Sequence, residues 1–190
     1  MTSKACLMTF SILRTPYGDI QVQEFDDRTP DVFLEAEKSE GFIDRAKPVE
    51  DIVWMANYQK DWGRWGPFAV PRFYLDGICN GHTKQAQTLS LWRDLESVYH
   101  FAYYGPLHKE ALRLRKDWFG KQNWPIYVVW WVSEHHQPCW REACHRLEHL
   151  HDYGVTPYAF TFKQPFDAQS EPYVLRSGVN QENRDVTRID

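Results

Sequence analysis

Ile126-Tyr127-Val128-Val129-Trp130-Trp131-Val132 is the stretch that decides the fold. It carries no charge and no helical spacing, and it is rich in β-branched and aromatic side chains. A half-exposed strand would alternate apolar with polar residues, so this one reads as a strand covered on both faces. Trp130 falls on one face, Tyr127 and Trp131 on the other. Downstream, Cys139 to Asp152 places Trp140, Ala143, Cys144, Leu147 and Leu150 on one helical stripe. Pro138 suits its start and Gly154 its stop. Ala159 to Phe162 then reads as a short further strand.

Working back toward the N-terminus, Leu7 to Leu13 reads as a strand with Thr9 and Ser11 on one face and Met8, Phe10 and Ile12 on the other. Thr29 to Ser39 reads as a helix with Pro30 in its first turn and Val32, Phe33 and Ala36 as its apolar stripe. Strands at Phe42–Arg45 and 52–56 would form a hairpin around Lys47 and Pro48. Gln87 to Leu91 reads as a strand with Thr88 and Ser90 on one face. Leu91, Leu95, Val98 and Phe101 then mark a helix. Pro106 opens another, with Leu107, Ala111, Leu114 and Trp118 as its core stripe and Gly120 as its C-terminal cap.

The order β-α-β-β-α-β with extra helices predicts an α+β, ferredoxin-like antiparallel sheet with helices on one face. Such a sheet leaves its second face open, and a second subunit is the economical cover, which predicts a homodimer. Residues 1–167 would form the single domain, with 168–190 as a polar tail. The stretch 57–86 has no sustained period and holds Trp62, Trp65, Phe68, Phe73 and Tyr74. It reads as a packing loop, or as a lid or pocket wall.

Bulk properties set the limits. A chain of 190 residues is most simply one domain, burying roughly 70% of its unfolded surface. Twenty-two basic against 26 acidic residues give −4 at neutral pH, which argues against a nucleic-acid partner. No apolar run reaches the length of a membrane span. Cys6, Cys79, Cys139 and Cys144 are scattered, and Met1 to Arg14 shows no signal-peptide pattern. Reduced thiols and a cytoplasmic location are the expectation.

Leu89-Ser90-Leu91-Trp92, Tyr104 with His108, and Arg115-Lys116-Asp117-Trp118-Phe119 form one set of recognisable segments. Trp130-Trp131-Val132, Arg146-Leu147-Glu148-His149-Leu150 and Gly154 through Phe162 continue it. Together they resemble one family, the domain-of-unknown-function family numbered 3291 within the dimeric α/β-barrel superfamily. The resemblance implies two-chain barrels with a cavity between sheet and helices. The superfamily includes cofactor-free monooxygenases, isomerases, cyclases and some haem enzymes. The family itself implies no reaction, and the long 57–86 insertion departs from its usual pattern.

His145-Arg146-Leu147-Glu148-His149 fits the H-x-x-E-H pattern of inverted zinc peptidases. Both histidines, however, lie opposite the apolar stripe, and the wider set His135, His136, Cys139, Cys144 and His151 matches no closed zinc spacing. A solvated helix face is the reading taken, with no metal and no cofactor. His108 is the stronger candidate. With Leu112, Arg115 and Phe119 it forms a second stripe bordering the core stripe, so His108 could move a proton and Arg115 could hold an oxyanion. Tyr103, a turn from His100, is a helper. Trp118, Trp131, Trp62 and Trp65 would supply walls, and Ser11, Ser90 and Thr161, with Thr9 and Thr88, a hydroxyl-bearing floor.

The expected function is a cofactor-independent enzyme acting on a small hydrophobic or aromatic metabolite by isomerisation or cyclisation, in secondary metabolism. A cofactor-free monooxygenase of the same superfamily and a non-catalytic ligand-binding or dimeric interaction module are the alternatives.

Overall fold

The computed structural model describes residues 2–50, 60–74 and 84–175. Strand β1 (Ser3–Ile12) is followed by α1 (Ile20–Lys38), β2 (Phe42–Arg45), β3 (Gln85–Trp92), α2 (Leu95–Tyr104), α3 (Pro106–Trp118), β4 (Tyr127–Ser133) and α4 (Trp140–Tyr153). The four strands form one antiparallel sheet in the order β2-β3-β1-β4. That order and the α+β plan agree with the ferredoxin-like expectation. The expected strand at 52–56 lies outside the described residues; β2 pairs with β3.

Alternation along β1 splits the core in two. Cys6, Met8 and Phe10 point to one side, with Leu89 and Leu91 of β3 and Val128, Trp130 and Val132 of β4. The α4 stripe of Trp140, Ala143, Cys144, Leu147 and Leu150 closes this side, joined by Trp62 and Trp65 of the 60–74 segment. Edge-to-face contacts of Trp140 with Trp62 and Phe68, at 5.1 and 5.0 Å, lock the two together. The face expected to await a second subunit is therefore covered by the chain itself. Ala5 and Leu7 point to the other side, with Trp92, Val129 and the α2 residues Leu95, Val98 and Phe101.

Strand β4 is buried on both faces as read, although it stands at the end of the sheet order: Val128, Val129 and Trp130 have no exposed surface. Ala159 to Phe162 joins β4 through a single pair of backbone hydrogen bonds, between Phe160 and Val129, where a longer strand was expected. Gly154 ends α4 with φ +75°, a conformation that costs a residue with a Cβ. The C-terminal segment returns to the core through Phe166, Tyr173 and Leu175.

Two helices correct the sequence reading. The first begins at Ile20, nine residues before the expected start, with the Asp19 side chain accepting from Gln21 N–H. Pro30 therefore sits inside the helix, where it leaves the Asp26 carbonyl without its helical donor. Burial of Val22 and pairing of Arg28 with Glu24 hold the early turns that the proline made illegible. In α3, Leu107 is 40% exposed and Ala111 and Leu114 only half-buried, so of the expected stripe Trp118 alone is buried. The cap of α3 is Phe119; Gly120 lies one residue beyond and donates to Ile12 O at 3.0 Å.

Leu147 is fully enclosed between α4 and the sheet. Leu147→Ala should lower the unfolding free energy by about 2–5 kcal/mol, measured as a lower urea midpoint at unchanged slope.

Candidate functional site

Helix α3 packs on α1 and α2 and stands off the sheet. Beneath it the sheet carries short side chains: Thr9 and Ser11 from β1, Ala86, Thr88 and Ser90 from β3. Short residues below and a raised helix above leave a cavity of about 710 Å³, within the range of small-molecule sites. Phe25, Thr29 and Val32 of α1 and His108, Leu112 and Arg115 of α3 roof it, and Trp118 and Phe119 close one end.

Part of the floor is self-satisfied. Thr9 and Thr88, cross-strand partners, share a hydroxyl hydrogen bond of 2.7 Å. Ser90 Oγ accepts from Trp92 Nε1 at 2.9 Å and donates to Leu7 O at 3.4 Å. These hydroxyls hold the sheet as well as facing the cavity, as buried polar groups must be paired.

The position of His108 is set by a contact between helices. The N-terminus of α3 begins at Gly105 without a side-chain cap of its own. Glu35 of α1 supplies one from a distance, accepting from Leu107 N–H at 3.0 Å and His108 N–H at 2.9 Å. A carboxylate at a helix N-terminus satisfies orphan donors and complements the dipole. Gly105 is required there because a Cβ would fall 2.8 Å from Phe101 O and 3.0 Å from Glu35 Oε2.

The His108 ring lies 4.8 Å from that of Phe101, and its Nδ1 is 2.7 Å from Ala102 O. A carbonyl oxygen only accepts, so Nδ1 carries the hydrogen and Nε2 the lone pair. Nε2 has no partner among the described residues. Burial pushes the His108 pKa down, with the Ala102 carbonyl and the Glu35 charge opposing it. The imidazole is thus a neutral base at pH 7, held in one tautomer.

Of the other residues expected at the site, Arg115, Tyr103, Trp118, Trp62, Ser11 and Ser90 line the cavity with His108. Trp65, Trp131 and Thr161 do not. Trp65 is buried on the opposite side of the sheet. Trp131 donates from Nε1 to Phe166 O at 2.8 Å and ties down the C-terminal segment. Thr161 lines a separate hollow of about 260 Å³ with Trp124 and Ile126. Trp62 has both roles, cavity lining and packing on Trp140.

Tyr127 was not anticipated. It lines the cavity, and its hydroxyl accepts from Phe162 N–H at 3.3 Å. Burial, with neighbouring Tyr103, pushes its pKa up, so it stays a donor at neutral pH. The signal was present: alternation places Tyr127 on the same face as Val129, opposite Thr9.

The His-rich segment has structural partners. His149 Nε2 is 3.0 Å from Thr156 Oγ1, and its ring packs against Tyr153 and Tyr158. His136 Nε2 is 2.6 Å from Glu142 Oε2, and His145 is exposed. Among the described residues no three His, Cys, Asp or Glu side chains are grouped to hold a metal. Cys6, Cys139 and Cys144 are free thiols; burial pushes Cys6 far up and Cys144 to about 12. Neither is a ready nucleophile. Cys79 lies outside the described residues. Among the described residues no helix is long and apolar enough to cross a membrane.

The family model described as Domain of unknown function (DUF3291) matches residues 5–176. The chain belongs to this family. No curated protein matches it.

At pH 7, long-range ¹H–¹⁵N NMR should find His108 neutral with its hydrogen on Nδ1, and its midpoint should lie below the ordinary 6.5. Above ~6.5 folded and unfolded chains both carry neutral imidazole, and as pH falls the unfolded chain takes the proton first, so stability falls. His108→Gln should flatten that acid-side slope in urea titrations. An Nε2–H tautomer would contradict the assignment.

Proposed function

We propose that the protein is a cofactor-independent enzyme that isomerises or cyclises a small hydrophobic metabolite by proton transfer. One observation carries the reading: a histidine whose Nδ1 is held by the Ala102 carbonyl, in the wall of a mostly apolar cavity of about 710 Å³. His108 Nε2 takes a proton from a carbon beside a carbonyl, the electron pair moves onto oxygen, and the same nitrogen returns the proton at a second carbon. Arg115 or the hydroxyls of Tyr127 and Tyr103 hold the developing oxyanion. Trp118, Phe25 and Val32 supply the walls that fix the substrate and exclude water.

The proposal includes a cytoplasmic homodimer. Because α4 and residues 60–74 occupy the second face of the sheet, the partner would join elsewhere. The exposed Tyr103, Tyr104 and Leu107 at the α2–α3 corner support that placement.

Native mass spectrometry of freshly purified protein reads oligomeric state and any retained organic mass together. With the retained compound as substrate, His108→Gln should lower turnover by about 10²–10⁴-fold while the dissociation constant stays within about threefold, since the lost group acts on the transition state. Binding without conversion by the unaltered protein would overturn the enzyme reading in favour of a binding module. Stoichiometric dioxygen consumption would replace isomerisation by oxygenation.

A further inference from the structure

The charges around the cavity do not resemble those of the chain. The whole sequence is acidic, at −4, yet no Asp or Glu lines the cavity among the described residues, while Arg and Lys enter it from α1, β2, α3 and the loops at Arg14, Lys60 and Lys121. Two of these cations are committed to carboxylates outside it. Arg28 pairs with Glu24 and with Glu110, and Arg45 pairs with Glu37 while lying over the Phe33 ring.

A second group is different. Arg14, Arg115, Lys116 and Lys121 line the cavity where the chain leaving β1 meets the end of α3. Arg14 joins the two, its Nε and Nη2 donating to Lys116 O at 3.1 and 2.9 Å. Its backbone N–H donates to Trp118 O at 2.9 Å, and Gly120 N–H to Ile12 O. None of the four has an acidic partner among the described residues. The C-terminal end of a helix dipole accounts for basic residues at Arg115 and Lys116. It does not account for Arg14 or Lys121, nor for acids being kept out of the whole lining.

We infer that the ligand is an amphipathic carboxylate, its apolar body in the cavity and its anionic head at this cationic end, beside Trp118. Carboxylate fits because a guanidinium can hold both oxygens, and a carboxylate leaving water needs such a partner. The cationic end also raises the local concentration of anions beside a low-dielectric cleft. His108 is two turns from Arg115 along α3, so a head group held by Arg115 leaves the body of the ligand along the histidine. The inference rests on the cavity reading above and narrows its substrate class.

Calorimetric titration tests it with two matched pairs: dodecanoate against dodecanol, and naphthalene-2-carboxylate against naphthalene-2-methanol. In at least one pair the acid should bind tenfold or more tighter than the alcohol, and added salt should shrink that ratio. Replacing the exposed side chains together, Arg115→Gln with Lys121→Gln, should remove the preference for acid over alcohol. Acids and alcohols binding equally would overturn the anionic-ligand inference while the cavity reading stands. No binding by any of the four would overturn both. A preference that survives the double substitution would overturn the assignment of the head-group site.

Discussion

Thr9 lies opposite Thr88 on one side and Tyr127 on the other, and this double register of β1 is the constraint on which the molecule depends. Side chains alternate along a strand, so a slip of one residue in either pairing would exchange the two faces. Met8 and Phe10 would leave the α4 side for the cavity, and Thr9 and Ser11 would be pressed against Trp140 and Leu147. The register therefore does two jobs. It directs large side chains to the side sealed by α4 and small hydroxyl-bearing ones to the side roofed by α3.

The asymmetry explains why a single chain can contain a cavity. On the α4 side, Trp130, Trp140 and Trp62 fill the space between layers, and the Trp130 indole donates to Glu142 at 3.0 Å. On the other side, α3 is held by α1 through Glu35 and the Arg28–Glu110 pair rather than by the strands. A helix suspended in this way does not collapse onto Thr9, Thr88 and Ser90. The sheet face that a dimeric barrel would turn toward its partner is occupied here by the chain's own helix, so the enclosed volume does not need a second copy.

Much of the fold was legible because the decisive segments carry unmixed signals. Ile126 to Val132 has no polar residue to compete with burial on both faces, and the α4 stripe keeps strict helical spacing between Pro138 and Gly154. The start of α1 was hidden because Pro30 imitates a first-turn proline, whereas burial of Val22 and Phe25 packing against Trp118 are tertiary facts. The stripe of α3 was misplaced for a related reason. A helix that borders a cavity has no fully buried face, so Leu107 ended exposed and His108, a border position by pattern, became the inward one.

The site was legible only where it follows local periodicity. His108, Arg115 and Trp118 share a helix, and Ser11 and Ser90 share strand faces, so alternation and helical spacing locate them. Trp65 and Trp131 are aromatics whose partners lie on other layers, and composition could not separate wall from core. Glu35 and Arg14 reach α3 only through hydrogen bonds between side chain and backbone that leave no pattern, and Lys121 enters the lining from the loop beyond it.

The measurement that tests the central claim most directly is a crystal structure under xenon pressure, because xenon enters apolar cavities without requiring a particular ligand chemistry. Xenon within each chain, between Thr88 on the floor and Leu112 on the roof, is the predicted result. Density confined to other sites, with α3 resting on Thr9 and Thr88, would contradict the account.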